Sequence, residues 1–158
     1  MRSMRRWAVV VLVGSFVFLW RAETERDVVG AQARKTVPVT RVYTGADGQS
    51  HAERIEMELK GDVTEMMKAT GVQFTRRGPY FNDWHPGPRR QFVITLSGRA
   101  ELEMAGGQKV AVGPGHISLI EDTTGKGHTT RVVGPDDRIT VTIPLADQRT
   151  DAEKRAGR

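Results

Sequence analysis

The segment DWHPGPRRQFVITLSG, from Asp83 to Gly98, contains the most informative local signals for the fold. It begins in a segment rich in Gly, Pro, Asn and Asp, which are residues that favour turns and loops. Residues 91–96 are mostly apolar on both faces, as expected of a strand that is covered on both sides. Ser97 and Gly98 then turn the chain. The stretch therefore predicts a loop, over 76–88, that delivers His85 to the start of a buried strand.

Short strands separated by turn signals are predicted on both sides of this stretch. Residues 54–60 alternate between apolar and acidic side chains, and Gly106-Gly107 is a two-residue hairpin signal. One short helix is predicted over 62–69, between Asp62 as a cap and Gly71 as a stop. The predicted strands cover 37–43, 54–60, 72–75, 91–96, 100–104, 109–112, 116–120, 129–133 and 138–145. About nine strands with turns roughly every 8–12 residues predict an all-β sandwich or barrel.

The N-terminal residues differ in composition from the rest of the chain. Three Arg side chains precede an apolar run from Trp7 to Trp20, whose 14 residues fall short of the roughly 20 that a membrane-spanning helix needs. Ala31-Gln32-Ala33 offers a small-x-small cleavage pattern. These features are typical of a secretory signal peptide. An uncleaved N-terminal membrane anchor and a misassigned start codon of a cytoplasmic protein are the alternatives.

Three segments follow from this pattern. A signal peptide or anchor is predicted over 1–33, a β domain over 34–146 and a flexible charged tail over 147–158. The expected location is extracytoplasmic, either secreted or periplasmic, or membrane-anchored through the N-terminal segment alone. A cytoplasmic location would follow from a misassigned start.

Charge and cysteine content exclude several function classes. The formal net charge of +5 includes five Arg and three acidic residues within 1–33, so that 19 basic and 16 acidic side chains remain beyond them. No stripe of Lys and Arg with interleaved aromatic residues is present, which argues against nucleic-acid binding. The absence of Cys excludes disulfides, thiolate metal sites and a Cys nucleophile.

Two segments carry a resemblance to a known family. DWHPGPRRQFVITLSG, together with EDTTGKGH ending at His128, resembles the two conserved motifs of the cupin superfamily. His85 stands at the first His position of the family's metal site, Gly87 at the second, Gln91 at the Glu and His128 at the His of the second motif. More narrowly, WHPGPRRQ and EDTTGKGH are similar to a group of small, single-domain cupins with no assigned reaction. The resemblance covers roughly 37–145 and implies a jelly-roll β-barrel.

The resemblance also implies a metal site, but with an altered ligand set. His85 and His128 supply imidazoles, Gln91 supplies a neutral amide oxygen in place of a carboxylate, and Gly87 supplies no ligand. Two imidazoles and an oxygen ligand suit Fe, Mn, Ni or Zn, which makes a divalent transition metal the expected cofactor. Its affinity should be below that of the full set. Several carboxylates near these motifs are candidates to restore it, although the sequence places none of them inside the barrel: Asp83, Glu101, Glu103 and Glu121.

Four further residues are candidates for substrate binding. Arg89 shares strand parity with Gln91 and could clamp a carboxylate with two parallel hydrogen bonds. Trp84 and Tyr80 lie beside His85 in the sequence, where they either line the pocket entrance or seal the barrel end. His51 precedes a predicted strand and either enters the pocket from another side or lies on the surface.

Two functions from different classes are consistent with these residues. The first is an exported small cupin with one barrel pocket, which binds a metal and oxidises or isomerises a small organic acid. The alternative is a metal-free, non-catalytic cupin in which the same residues hold a small molecule by hydrogen bonds. A purely structural jelly roll would leave the pair of His residues unexplained. Cupins often dimerise, so a homodimer is the expected assembly.

Overall fold

The computed structural model describes residues 36–157, except for the side chains at positions 151, 152 and 155. The predicted signal peptide or anchor over 1–33 lies outside these residues. The strands are β1 (Thr36–Thr44), β2 (Ser50–Glu58), β3 (Gln73–Arg77), β4 (Phe81–His85), β5 (Gln91–Ser97), β6 (Arg99–Met104), β7 (Lys109–Val112), β8 (Ile117–Glu121), β9 (His128–Val133) and β10 (Arg138–Pro144), followed by a short helix, α1 (Asp151–Ala156). Strands thus form the whole of the domain body, which confirms the predicted all-β class. Within the described part of the chain, no helix has the length and apolar character needed to span a membrane.

The strands form two sheets. The larger has six strands in the order β2-β1-β8-β5-β10-β3, and the smaller has four in the order β4-β9-β6-β7. The neighbours are antiparallel except for β1 and β8, which run parallel. Strands that are distant in the chain are therefore adjacent in both sheets, as in the double-sheet arrangement of a jelly roll.

The main core lies between the two sheets. A buried apolar cluster combines Val42 and Ile120 of the six-stranded sheet with residues of β6 and β7, namely Ala100, Leu102, Met104 and Val112. A second cluster of Val39, Leu119 and Leu145 covers the opposite face of the six-stranded sheet. Leu119 and Ile120 are adjacent on β8 and point to opposite faces. Because this sheet is covered on both sides, its central strands are apolar on both faces, as predicted for residues 91–96.

Two elements differ from the sequence prediction. The helix predicted over 62–69 is absent, and the segment forms isolated bridges of Lys60 with Val63 and of Ala69 with Leu145. A segment this short is marginal as an isolated helix, and its backbone instead bonds to the chain after β10, where Ala146 N donates to Lys68 O over 2.9 Å. The second difference is β4, which lies within the predicted loop 76–88 and pairs with β9.

The segment predicted as a charged tail has defined contacts where it begins. Arg90 N donates to Gln148 Oε1 over 2.8 Å, and Gln148 Nε2 donates to Leu145 O. Asp147 accepts from the backbone amide of Arg149 and lies beside the ammonium of Lys154, and these contacts lower the pKa of its carboxyl to about 2. Residues 147–149 thus form hydrogen bonds among themselves and with the end of the β domain, and α1 follows them.

Candidate functional site

The pairing of β4 with β9 brings the two predicted His ligands together. His85 and His128 are directly opposite each other in the register, and their ring centroids are 4.7 Å apart with the planes inclined by 53°. His128 is buried and His85 is half-buried. Two residues that are 43 positions apart in the sequence therefore form one imidazole pair between the sheets.

A β-bulge in β4 determines which of its side chains point inward. Asn82 pairs with Thr130 and His85 pairs with His128, so two residues, Asp83 and Trp84, oppose one residue of β9. Strict alternation would place Asn82 and His85 on opposite faces. The extra residue instead turns both of them toward the same side, a known use of bulges near functional sites.

The orientation of His128 is set by a buried carboxylate. Its Nδ1 lies 2.6 Å from Asp122 Oδ2, and the same oxygen accepts from Ser50 Oγ over 2.8 Å. Asp122 is fully buried at 0% exposure. A carboxylate oxygen accepts this hydrogen bond, so Nδ1 is the donor and, in the neutral imidazole, Nε2 keeps the lone pair. Partners of this kind fix the tautomer and ring orientation of metal-binding His residues.

The tautomer of His85 follows from a backbone contact. Its Nδ1 lies 2.7 Å from Asp83 O, and a carbonyl oxygen only accepts, so Nδ1 carries the proton. Asn82 Nδ2 lies 2.9 Å from Nε2 and donates to it. Asn82 Nδ2 also lies 3.0 Å from His85 Nδ1, but both atoms are donors, so this contact is not a hydrogen bond. Both imidazoles thus have an Nε2 lone pair, and that of His85 is shared with the Asn82 amide.

Gly87, at the family's second His position, adjoins Asp122. Gly87 N donates to Asp122 O over 2.9 Å, and a Cβ built on Gly87 would lie 2.5 Å from Ile120 Cγ2 and 3.1 Å from Asp122 Oδ1. A side chain at position 87 would therefore collide with the wall of the site. Asp122 Oδ1 is buried and has no hydrogen-bond partner among the described residues. The site thus contains a carboxylate that the sequence analysis did not identify.

Asp122 could have been identified from strand parity. The sequence analysis considered Glu121, which ends β8, but Ile120 and Asp122 lie one residue on either side of it. Since Ile120 faces the core between the sheets, Asp122 continues that inner face and Glu121 faces outward. The missing information was which parity of β8 faces inward, because both are apolar.

Gln91 lies on the inner face of β5. It is buried and pairs with Ile120 in the register of β5 with β8, and Val93, two residues later, packs against the core between the sheets. All three predicted metal ligands therefore point into the space between the sheets. Among residues 36–157, no three His, Cys, Asp or Glu side chains form a group that could hold a metal ion. A metal site here would therefore depend on the two imidazoles and the amide of Gln91.

Of the four predicted substrate-binding residues, the structure brings Tyr80 to a cavity between the sheets. Arg89 precedes β5 and is exposed, so strand parity does not pair it with Gln91. Trp84 is exposed and has Lys126 Nζ 4.0 Å above its ring. His51 lies 3.0 Å from Asp47 and points away from the core, because the adjacent Ala52 packs against the core cluster.

Arg90 is buried, whereas Arg89 is exposed. Arg90 pairs with a carboxylate of the protein itself, whereas Arg89 was predicted to bind a substrate carboxylate. Glu121, with a fully buried side chain, accepts from Arg41 Nε and Arg90 Nε, each over 2.6 Å. Arg41 Nη1 also bonds to Glu53 over 2.8 Å. Burial alone lowers the pKa of Arg41, but its hydrogen bonds to Glu121 and Glu53 raise it above its usual value. This Arg–Glu–Arg cluster fixes the outer face of the six-stranded sheet.

A cavity of about 140 Å³ opens between the two sheets beside the His pair. It is lined by Arg77, Tyr80, Asn82, Thr130, Val132, Arg138 and Thr140. Arg77, Arg138 and Thr140 come from the six-stranded sheet, and the others come from β4, β9 and the turn before β4. Asn82 both lines the cavity and donates to His85. The cavity and the His pair are therefore in contact through one side chain.

Arg138, which lines this cavity, and His116, which feels the charge of Arg138, each have a buried nitrogen atom without a partner among the described residues. His116 Nε2 and Arg138 Nε form no hydrogen bond within the described part of the chain. Burial, and then the positive charge of Arg138, lower the pKa of His116 below its ordinary value of 6.5. Neither residue was singled out as a site residue from sequence, because the signal, a shared inward face, exists only once the strands are paired.

We expect His116 to make the protein less stable as the pH falls. The unfolded chain binds a proton at His116 near pH 6.5, whereas the folded chain binds it only at lower pH, so stability is lost as the pH falls from 6.5 through the depressed folded pKa. Urea unfolding at about pH 7.5 and about pH 5.5, on either side of the ordinary His pKa, measures the loss. A His116→Gln variant should lose less over this interval. An equal loss in both proteins would contradict the prediction.

The chain was compared with known proteins. No protein-family model and no curated protein matches it. It is similar to the solved structure of a protein from Neisseria meningitidis, at 17% identity and a TM-score of 0.36 over 50% of this chain and 80% of that one. An RmlC-like cupin from Desulfovibrio desulfuricans is similar at 18% identity and a TM-score of 0.33, again over 50% and 80%. A candidate ethanolamine utilization protein Q from Salmonella typhimurium is similar at 14% identity and a TM-score of 0.36, over 72% of this chain and 100% of that one.

A cupin is among the structures to which the chain is similar. The architecture is defined by the strand order of this chain.

Proposed function

We propose that the domain binds one divalent transition-metal ion through His85 and His128, with the amide oxygen of Gln91 as a third donor, and acts on a small organic acid in the adjoining cavity. The observation that carries the proposal is the opposed pair of imidazoles, 4.7 Å apart between their centroids. Both are oriented through Nδ1, so both offer Nε2. Imidazole nitrogen is a common donor for Zn, Fe and Ni in proteins.

The residues around His85 and His128 are compatible with a bound metal ion. Asp122 holds His128 through Nδ1, which is the carboxylate–histidine arrangement found behind many metal ligands. Its second oxygen, Oδ1, lacks a partner among the described residues and adds negative charge close to where a cation would lie. Gly87 supplies no ligand, and a side chain there would collide with Ile120, so the proposed donors are the two imidazoles and the amide of Gln91. A bound ion would therefore keep positions open for a substrate, as catalytic metal sites do.

The chain's own residues would orient a substrate and exclude water. A bound ion would supply Lewis-acid or oxygen-activating chemistry, which suits oxidation or isomerisation of an organic acid. His128 is held in one tautomer by Asp122, and Asn82 lies between His85 and the cavity. The core between the sheets, with Met104 opposite His128 in the register of β6 and β9, shields the inner side of the pair from solvent.

Metal titration of untagged apoprotein tests the proposal. Calorimetry with Zn²⁺, Mn²⁺, Ni²⁺ and anaerobic Fe²⁺ should give one ion per chain for at least one metal, and His85→Ala and His128→Ala should each abolish that binding. Asp122→Asn should weaken it by about 10- to 100-fold, the usual effect of removing a partner behind a metal ligand. Asn82→Ala should strengthen it, because the amide no longer competes for His85 Nε2.

His51→Ala is the matched control, because it removes a His that points away from the core. Its metal affinity should equal that of the unaltered protein. Circular dichroism of each variant establishes that it is folded. If no metal binds, or if binding survives in both His85→Ala and His128→Ala, the proposal fails.

One observation favours the metal-free alternative. Asn82 Nδ2 already donates to His85 Nε2 at 2.9 Å, so the pair is satisfied in part by hydrogen bonds, as in a non-catalytic binding protein. The two functions differ in the response to Asn82→Ala. A metal-free site should lose ligand affinity in this variant, whereas a metal site should gain metal affinity.

The proposed setting of this activity is outside the cytoplasm, with residues 1–33 as a cleaved signal or an anchor. N-terminal sequencing of the protein recovered from the cells that make it tests this. A mature N-terminus close to residue 34 supports cleavage, and an intact Met1 in the membrane fraction supports an anchor. An intact Met1 in the soluble cytosolic fraction would exclude export.

A further inference from the structure

We infer that the cavity between the sheets is a binding site for a two- or three-carbon carboxylate, held by the guanidinium of Arg138 with Arg77 at the cavity wall. This inference names the class of ligand for the proposed function. The role of the cavity next to a metal ion rests on that proposed function. The residues that line the cavity do not include the proposed ligands His85, Gln91 and His128.

Arg138 is half-buried and, among the described residues, differs from the two buried Arg residues, Arg41 and Arg90, in having no acidic partner. Arg41 and Arg90 both pair with Glu121, but within residues 36–157 no carboxylate lies within ion-pair distance of Arg138. Its Nη2 donates to Thr95 Oγ1 over 3.0 Å, and its Nε is buried without a partner in the part of the chain that the structure describes. A buried cation is costly unless it is paired. Burial accordingly lowers the pKa of Arg138 below its usual value.

The rest of the wall suits the same ligand. The guanidinium of Arg77 lies 4.6 Å from the centroid of the Tyr80 ring, which keeps a second positive charge at the cavity without neutralising it. Thr130 and Thr140 contribute hydroxyl groups, and Val132 contributes an apolar surface. Two guanidinium groups, polar side chains and a small apolar area complement a carboxylate with a short polar chain.

The volume restricts the size of the ligand. A cavity of about 150 Å³ in another protein takes up benzene, which has six non-hydrogen atoms. At about 140 Å³ the present cavity suits acids such as glycolate, lactate or pyruvate, which have five or six. A ligand bound here also contacts Asn82, whose amide donates to His85. The far end of the acid would therefore face the imidazole pair.

Calorimetry of metal-free protein with glycolate, lactate and pyruvate tests the inference, with glycolamide as the neutral probe of the same shape. At least one acid should bind to a single site per chain, and glycolamide should not bind. Arg138→Gln should weaken the binding by about 10- to 100-fold, the equivalent of one charge-assisted hydrogen bond. Arg138→Lys should recover part of the affinity, since it keeps the charge but not the planar fork.

Arg99→Gln is the matched control, because it removes an exposed Arg outside the cavity, and its affinity should be unchanged. The inference is overturned if no acid binds, if glycolamide binds equally well, or if Arg138→Gln and Arg99→Gln have the same affinity. His128→Ala separates this result from the proposed function, because it should abolish metal binding, whereas carboxylate binding through Arg138 should remain measurable. Metal binding without carboxylate binding would therefore refute the carboxylate site and leave the metal site standing, and the reverse would refute only the metal site.

Discussion

Glu121→Gln should lower the free energy of unfolding by about 3–5 kcal/mol, the usual cost of removing one partner from a buried ion pair. Both oxygens of Glu121 are bonded to Nε atoms of buried Arg residues, Arg41 and Arg90, over 2.6 Å. A neutral amide would leave two buried guanidinium groups without full compensation. It would also place an amide NH₂ against a donor, because the Nε of Arg41 or of Arg90 would meet a nitrogen. Urea denaturation at pH 7 measures the change.

Glu101→Gln is the control for this prediction. Glu101 pairs with Lys109 over 3.0 Å, but Lys109 is exposed and Glu101 only half-buried, and such a surface pair contributes about 0–1 kcal/mol. The two variants therefore make the same chemical change at a buried and at an exposed ion pair. A loss below about 1 kcal/mol in Glu121→Gln, no larger than that of a surface pair, would show that the Arg–Glu–Arg cluster does not stabilise the sheet.

Gly127→Ala should lower the free energy of unfolding by about 2–5 kcal/mol, combining left-handed backbone strain with overpacking. Gly127 has a φ of 77°, and a Cβ at this position would overlap the carbonyl group of His85. That carbonyl belongs to backbone and cannot rotate away as a side chain does. We expect the change to move His85 relative to His128 and to reduce metal affinity as well. Urea denaturation and metal titration of the same variant measure the two effects.

Gly107→Ala separates the two causes. Gly107 has a φ of 83°, but a Cβ there would meet no atom within 4 Å. It should therefore show only the backbone strain, about 1–2 kcal/mol, and unchanged metal affinity. If Gly127→Ala is no more destabilising than Gly107→Ala, the contact between residue 127 and the His85 backbone does not constrain the pair.

The local sequence was sufficient to predict most strands and turns. Periodicity and turn residues predicted the strands that correspond to β1 and to β5 through β10 with ends within a few residues, because alternation and Gly-rich turns are local signals. The same reasoning missed β4, whose sequence, FNDWH, lies among Gly, Pro, Asn and Asp residues. This strand forms because β9 provides its hydrogen-bond partners. The predicted helix over 62–69 failed for a related reason, since bonds to the chain after β10 replaced helical ones.

In the candidate site, too, local sequence predicted some residues, and others depend on strand pairing. Local patterns predicted an all-β domain, and two motifs indicated His85, Gln91 and His128. Strand pairing established that Asp122 faces inward, that a bulge turns Asn82 toward His85, and that Arg138 lies beside a cavity while Arg89 lies on the surface. Alternation along one strand states which residues share a face. It does not state which face is buried, because that depends on pairing with strands far away in the chain.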